Sequence, residues 1–236
     1  MILKRKIYKK LLEWKKECQG KKALLIEGAR RIGKSTICEE FGKNEYESYL
    51  LIDFAKKDKE VEGYFEKYLN DLDTFFMLLQ THFGTKLTER NSLIIFDEVQ
   101  MFPQARAAIK YLVADGRYDY IETGSLISIR ENVKNIVIPS EERHINMYPL
   151  DFEEFAIALE EDLLVEYIKK CFEKREPLER SMHNQAMLLF HQYMLVGGMP
   201  MPVVTFIESK KDFTEADREK RDILKLYRED IMKIDA

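Results

Sequence analysis

Gly28-Ala29-Arg30-Arg31-Ile32-Gly33-Lys34-Ser35-Thr36 reads G-x-x-x-x-G-K-[ST], and it stands between an apolar run, Ala23 to Glu27, and a helix-like segment, Ser35 to Phe41. A strand before and a helix after are the context that pattern needs to wrap a phosphate chain in backbone N–H groups. A side chain at either glycine would obstruct the turn or the close approach. The helix starting near Lys34 aims a partial positive charge, about half an elementary charge, at the same phosphates. Lys34 adds a mobile full charge for the β- and γ-phosphates. Ser35 supplies a hydroxyl to Mg²⁺, and Thr36 reaches the α-phosphate. Arg30 and Arg31 lie inside the loop within reach of phosphate, with Ala29 and Ile32 completing it.

On either side of this loop, short apolar runs alternate with helical stretches: ALLIE at 23 to 27, SYLLIDF at 48 to 54, SLIIF at 92 to 96 and YDYIET at 118 to 123. Runs buried on both faces predict a parallel sheet. The helical stretches between them are Ser35 to Phe41, a pair over roughly 58 to 82, and Pro103 to Ala114, which opens on a proline tolerated in the first turn. Arg143 to Met147 is a candidate fifth strand. After Leu150 the patterns DFEEFAIALEEDLLVEYIKKCFEK, SMHNQAMLLFHQYMLV and the segment from Phe213 are all helical, interrupted by the turn Gly197 to Pro202. That turn reads equally as a hinge and as a helix break.

The run SLIIF ends in Asp97-Glu98, some 60 residues after Lys34. Beside a phosphate loop the two acids divide the labour. Asp97 holds the shell of Mg²⁺, which binds few carboxylates and keeps its waters, and Glu98 polarises the attacking water. Without such a loop, the same strand end reads as a carboxylate capping the next segment. Thr123-Gly124-Ser125 closes the fourth run; a hydroxyl there senses the γ-phosphate or places the water, and Thr123 and Ser125 are not separable by sequence.

Composition narrows the classes. The 236 residues are 45% hydrophobic and 34% charged, and 38 basic against 42 acidic groups leave a net charge of -4, so bulk charge selects no polyanionic partner. Three scattered cysteines and an N-terminus charged where a signal peptide is apolar predict a cytoplasmic protein with neither disulfide framework nor zinc knuckle. No run is long enough to span a membrane. Residues 1 to 22 carry nine Lys/Arg and two acids, with Ile7, Leu11, Trp14 and Cys18 on one helical face. They predict an amphipathic entry helix with a solvated basic face. His82, His144, His183 and His191 lack metal-ligand spacing, and Met182, Met187, Met194, Met199 and Met201 read as filling a helical core in preference to forming a protein-contact patch.

Taken together, GARRIGKST, LIIFDEVQ, IETGSLIS, MYPLDFEEF, LVGGMP and LYREDIMK resemble the prokaryotic AAA-type ATPases related to the archaeal ATPase group, over nearly the whole chain. The resemblance implies a three-layer α/β P-loop NTPase of the ASCE/AAA type, in which another strand separates the phosphate-loop strand from the Asp-Glu strand. After the entry helix over 1–22, it implies an ATPase core over 23–149 and a helical lid over 150–236. ATP as the nucleotide, Mg²⁺ as cofactor, and hydrolysis coupled to movement of the lid or of a partner follow from the same likeness. Glu98 and Lys34 are then catalytic, Ser35 and Asp97 metal-binding, Gly28 to Thr36 with Thr123 and Ser125 nucleotide-binding. Such proteins commonly continue into a C-terminal domain of unknown function, and the helical pattern Ile223, Tyr227, Ile231, Ile234 runs to Ala236 without a stop, so the sequence reads as truncated there. Arg130, Arg143 and Arg228 are the candidates for an arginine finger. A slow nucleotide-dependent switch, a nucleic-acid-stimulated ATPase using the basic helix, an oligomer and a protein partner stay open on the sequence.

Overall fold

The computed structural model describes residues 1–125 and 140–234. They form two compact units, Ile7–Met147 and Met1–Lys6 with Tyr148–Ala236.

The first unit is built on five parallel strands, β1 (Ala23–Gly28), β2 (Ser48–Asp53), β3 (Ser92–Asp97), β4 (Asp119–Ser125) and β5 (Glu142–Asn146), in the order β2-β3-β4-β1-β5. β4 therefore lies between the phosphate-loop strand and the Asp-Glu strand, as the resemblance implies. Alternation divides the side chains between two faces. Leu25, Leu50, Ile52, Ile94, Phe96 and Tyr120 enter a core with Phe65, Phe75, Phe76 and Leu112, which come from α3 (Lys59–Tyr68), α4 (Leu72–Phe83) and α5 (Pro103–Asp115). Leu24, Ile26, Leu93, Ile95 and Ile121 are equally buried and point to the opposite face.

Helices α1 (Ile7–Cys18) and α2 (Lys34–Glu45) belong to that opposite layer. The spacing of Ile7, Leu11, Trp14 and Cys18 predicted one buried face for α1, and all four are buried. Phe41 of α2 receives Tyr8 and Trp14 with ring centroids 5.5 and 6.4 Å away, and Trp14 Nε1 donates to the Lys22 carbonyl at 3.0 Å. Aspartates cap α3 and α4: Asp58 accepts from Glu60 and Val61 N–H, and Asp71 from Thr74 N–H. Asp53 ends β2 and caps the turn that follows, accepting from Ala55 N–H at 3.0 Å.

The second unit contains α6 (Phe152–Ala158), α7 (Asp162–Lys174), α8 (Arg180–Val196), α9 (Pro200–Glu208) and α10 (Phe213–Ile234). Its core gathers Leu3, Leu150, Phe155, Leu164, Val165, Leu189, Val196, Val203 and Phe206. The continuous helical pattern after Leu150 resolves into two helices because Glu160 turns to φ 64 after a first helix started by the Asp151–Glu154 capping box. The helix break falls at Gly197 to Met199, and Pro200 to Pro202 already form the first turn of α9. Gly197 takes φ 81, and a Cβ on Gly198 would stand 2.1 Å from the Leu150 carbonyl oxygen. The methionines divide: Met182 packs against this core and Met199 is partly buried, whereas Met187, Met194 and Met201 are exposed rather than core.

Candidate functional site

The site forms where β1, β3 and β4 end. β1 delivers Gly28, where a Cβ would lie 2.4 Å from the Met147 carbonyl oxygen and 2.5 Å from Ile32 Cδ1. The first glycine is thus required by the crowding of the residue after β5 and of the loop's own buried isoleucine. Arg31 turns the loop through φ 63 and Gly33 through φ 91. Gly33 occupies the N-cap of α2 and brings no side chain, so the first-turn N–H groups of α2 are left to an anion.

Lys34 is buried, and its Nζ donates to the Gly28 and Ala29 carbonyls at 3.1 and 2.9 Å. Burial pushes its pKa below the usual lysine value, while the charges of Glu98 and Asp97 pull it back up. Ser35 Oγ donates to Asp97, lying 2.8 Å from Oδ1 and 2.7 Å from Oδ2. Thr123 Oγ1 donates to Asp97 Oδ1 as well, and it accepts from the Glu98 N–H at 3.3 Å. Asp97 is buried, and its partners are all oxygens, so hydroxyls of α2 and β4 converge with a carboxylate of β3. The Ser35 hydroxyl and the Asp97 carboxylate are hard oxygen donors of the kind Mg²⁺ takes, with Thr123 bracing the carboxylate.

Glu98 sits one residue beyond β3 at φ 55, a left-handed conformation that costs a non-glycine residue about 1 kcal/mol or more. The turn swings its carboxylate off the strand, where Gln100 Nε2 donates to it. No motif marks Gln100, which reaches Glu98 because the short 3-10 turn Val99–Met101 follows the acid directly. Cys38, four residues after Lys34, is fully buried beside Asp97, and burial raises its thiol pKa well above normal.

The structure therefore brings Lys34, Ser35, Asp97, Glu98 and Thr123 together. Ser125 ends β4 in register with Gly28 and is buried. Ala29, Arg30, Arg31 and Thr36 are exposed on the loop and the first turn of α2. Of the three arginine-finger candidates, Arg130 lies outside the described residues, Arg143 pairs with Glu17 at 2.5 Å, and Arg228 is exposed.

A family model described as an AAA domain matches residues 20–156. Among curated proteins, no sequence matches the chain. Similar solved structures include the Aeropyrum pernix ORC1 protein in complex with DNA, at 9% identity and TM-score 0.39, covering 83% of this chain and 68% of that one. C. elegans PCH-2 is similar at 12% identity and TM-score 0.44, over 92% of this chain and 65% of that one. A signal transduction ATPase with numerous domains (STAND) carrying a tetratricopeptide repeat sensor, from Pyrococcus horikoshii, is similar at 17% identity and TM-score 0.42, over 86% of this chain and 29% of that one.

Proposed function

The chain belongs to the AAA domain family, and on that premise we propose that it binds ATP with Mg²⁺ and hydrolyses the β,γ-phosphoanhydride bond, coupling nucleotide state to movement of residues 150–236 or of a partner. The observation that supports this reading best is the convergence of Ser35, Asp97 and Thr123 oxygens beside the buried ammonium of Lys34, at a helix start whose amides are left uncapped.

Each residue has one task. The loop amides and Lys34 grip the phosphate chain, and Lys34 exchanges its two carbonyl partners for phosphate oxygens, gaining a counter-charge for a group whose burial penalises its charged form. Ser35 and Asp97 are the residues that would hold Mg²⁺, which when bound neutralises charge on the β- and γ-phosphate oxygens. Glu98 orients a water in line with the bridging oxygen and draws off its proton as the oxygen bonds to the γ-phosphorus; the bond to the β-phosphate oxygen breaks and that oxygen leaves with ADP. Gln100 holds the Glu98 carboxylate in place, and Thr123 ties the metal-binding acid to the backbone of the catalytic one. Among the described residues no helix is long and apolar enough to cross a membrane.

Glu98→Gln tests the assignment. The amide keeps the size and the contact with Gln100 but cannot take a proton. Phosphate release should fall tenfold or more while ATP affinity stays within about twofold. A variant that turns over at the parental rate removes Glu98 from the mechanism.

A further inference from the structure

On the sheet face opposite Thr123 lies a group of ionisable side chains that the reaction above does not use. Glu122 of β4 and His144 of β5 both stand in register with Leu25 of β1, so the three share one row. Glu122 is fully buried, and among the described residues neither of its carboxyl oxygens meets an N–H or O–H donor. Its polar neighbour is another acid, Glu142 of β5. Arg106 of α5 spends its fork on Glu142, with Nε 3.0 Å from Oε1 and Nη2 2.7 Å from Oε2. His144 stands between Glu142 and Glu27, 3.2 and 3.3 Å from their oxygens, at the exposed rim. From β3 the residue facing Glu122 is Phe96.

The charges do not balance with every acid ionised. One fixed cation serves Glu142 in bidentate fashion, which leaves Glu122 as a second carboxyl in the same dry space. An isolated buried carboxylate is far more costly than a bound proton. A carboxylate engaged by arginine still has lone pairs to accept with, and a neutral carboxyl has one O–H to give. We propose that Glu122 is a neutral carboxylic acid in the folded protein, donating its proton to Glu142, and that this Arg106-clamped pair positions the end of β4 that carries Thr123. Burial and the charge of Glu142 both push the Glu122 carboxyl well above the usual range, against a smaller opposing pull from Arg106.

The link to Thr123 is the strand itself. Successive residues point to opposite faces, so one peptide unit is anchored below by Glu122 and above by the Thr123 hydroxyl on Asp97. A shift in the lower anchor moves the upper one. This second half rests on the hydrolytic reading; the protonation does not.

The first experiment counts protons. A group whose folded pKa lies above its unfolded one makes the native state hold the extra proton, so stability is full below the unfolded carboxylate range and is lost as pH rises toward the folded value. The folding constant of the native sequence, relative to that of Glu122→Gln, should fall about tenfold per pH unit above roughly pH 5. Parallel pH dependences in the two proteins overturn the protonation. For positioning, Glu122→Ala removes the donor to Glu142, and kcat should drop at least fivefold with nucleotide affinity unchanged. Glu122→Gln, which donates as the acid does, should restore it; an Ala variant with full kcat overturns the positioning role. Should Glu122→Ala fail to fold, Glu122→Asp replaces it with the acid on a shorter arm. The Thr123 methyl resonance gives a readout free of turnover: it should move in the Ala or Asp variant and return in Gln. If it stays in place, positioning fails even in a protein that hydrolyses nothing.

Discussion

Lys34 shows how much of the candidate site rests on single side chains. Its ammonium is desolvated and held by two loop carbonyls, a poor substitute for an anion, since burial lowers its pKa and leaves its charged form penalised. Replacing Lys34 with Ala removes that penalised charge along with the grip on phosphate. Charge-assisted hydrogen bonds contribute about 1.5–3 kcal/mol, so the dissociation constant of a fluorescent ATP analogue should rise at least tenfold while Tm without nucleotide holds. An unaltered titration curve contradicts the phosphate-gripping role. Gly28 and Gly33 are demanded for different reasons, one by the Met147 carbonyl and Ile32, the other by a φ of 91. The motif announces both glycines, but the Met147 carbonyl arrives from more than a hundred residues away and is invisible to it.

At the level of elements, the sheet was legible because buried parallel strands are short, apolar and bounded by polar turns, and each of the five runs became a strand. The helical region was less so. Between Ser181 and Ile207 there is no Asp, Glu, Lys or Arg, a run that reads as core because apolar residues of all faces are usually buried. In the folded chain only Leu189 and Val196 of α8 are buried, and Met187, Leu188, Met194 and Leu195 lie on its exposed side. Composition reports how apolar a helix is; the neighbours that cover it are set by packing. Met194→Gln should accordingly change unfolding stability by less than about 0.5 kcal/mol, as surface substitutions do. A loss of several kcal/mol, the signature of an emptied core position, would show that this face is covered.

Across the molecule, the chain opens in one unit and continues in the other. Met1–Lys6 belong with Tyr148–Ala236, and only from Ile7 does the chain enter the unit that carries the sheet. The tie is Arg5, whose Nε donates to Glu154 Oε1 at 3.2 Å and whose Nη2 donates to the Tyr148 carbonyl at 2.6 Å, both side chains being buried. Glu154 also accepts from the Lys6 N–H at 2.6 Å and closes the capping box of α6. Breaking one partner of a buried ion pair typically costs about 3–5 kcal/mol because the other charge is left behind. Arg5→Ala should therefore speed amide hydrogen exchange in α6 while β1 and β3 keep their protection. Equal exchange in both proteins would show that the opening residues contribute nothing to the helical unit.

The glycine-bearing loop from Gly28 to Thr36, the paired acids at a strand end, the parallel sheet and the family likeness were all legible in the residues alone, because they are written in local backbone demands and in the two-residue and 3.6-residue periods of neighbouring side chains. Only the fold sets the Thr123 hydroxyl on Asp97, the Gln100 amide on Glu98, Glu122 in one dry pocket with a second acid, and the first six residues in one unit with Tyr148–Ala236. Each of those depends on which atoms from distant segments end up within a few ångströms of one another, and no spacing along the chain encodes a distance across it.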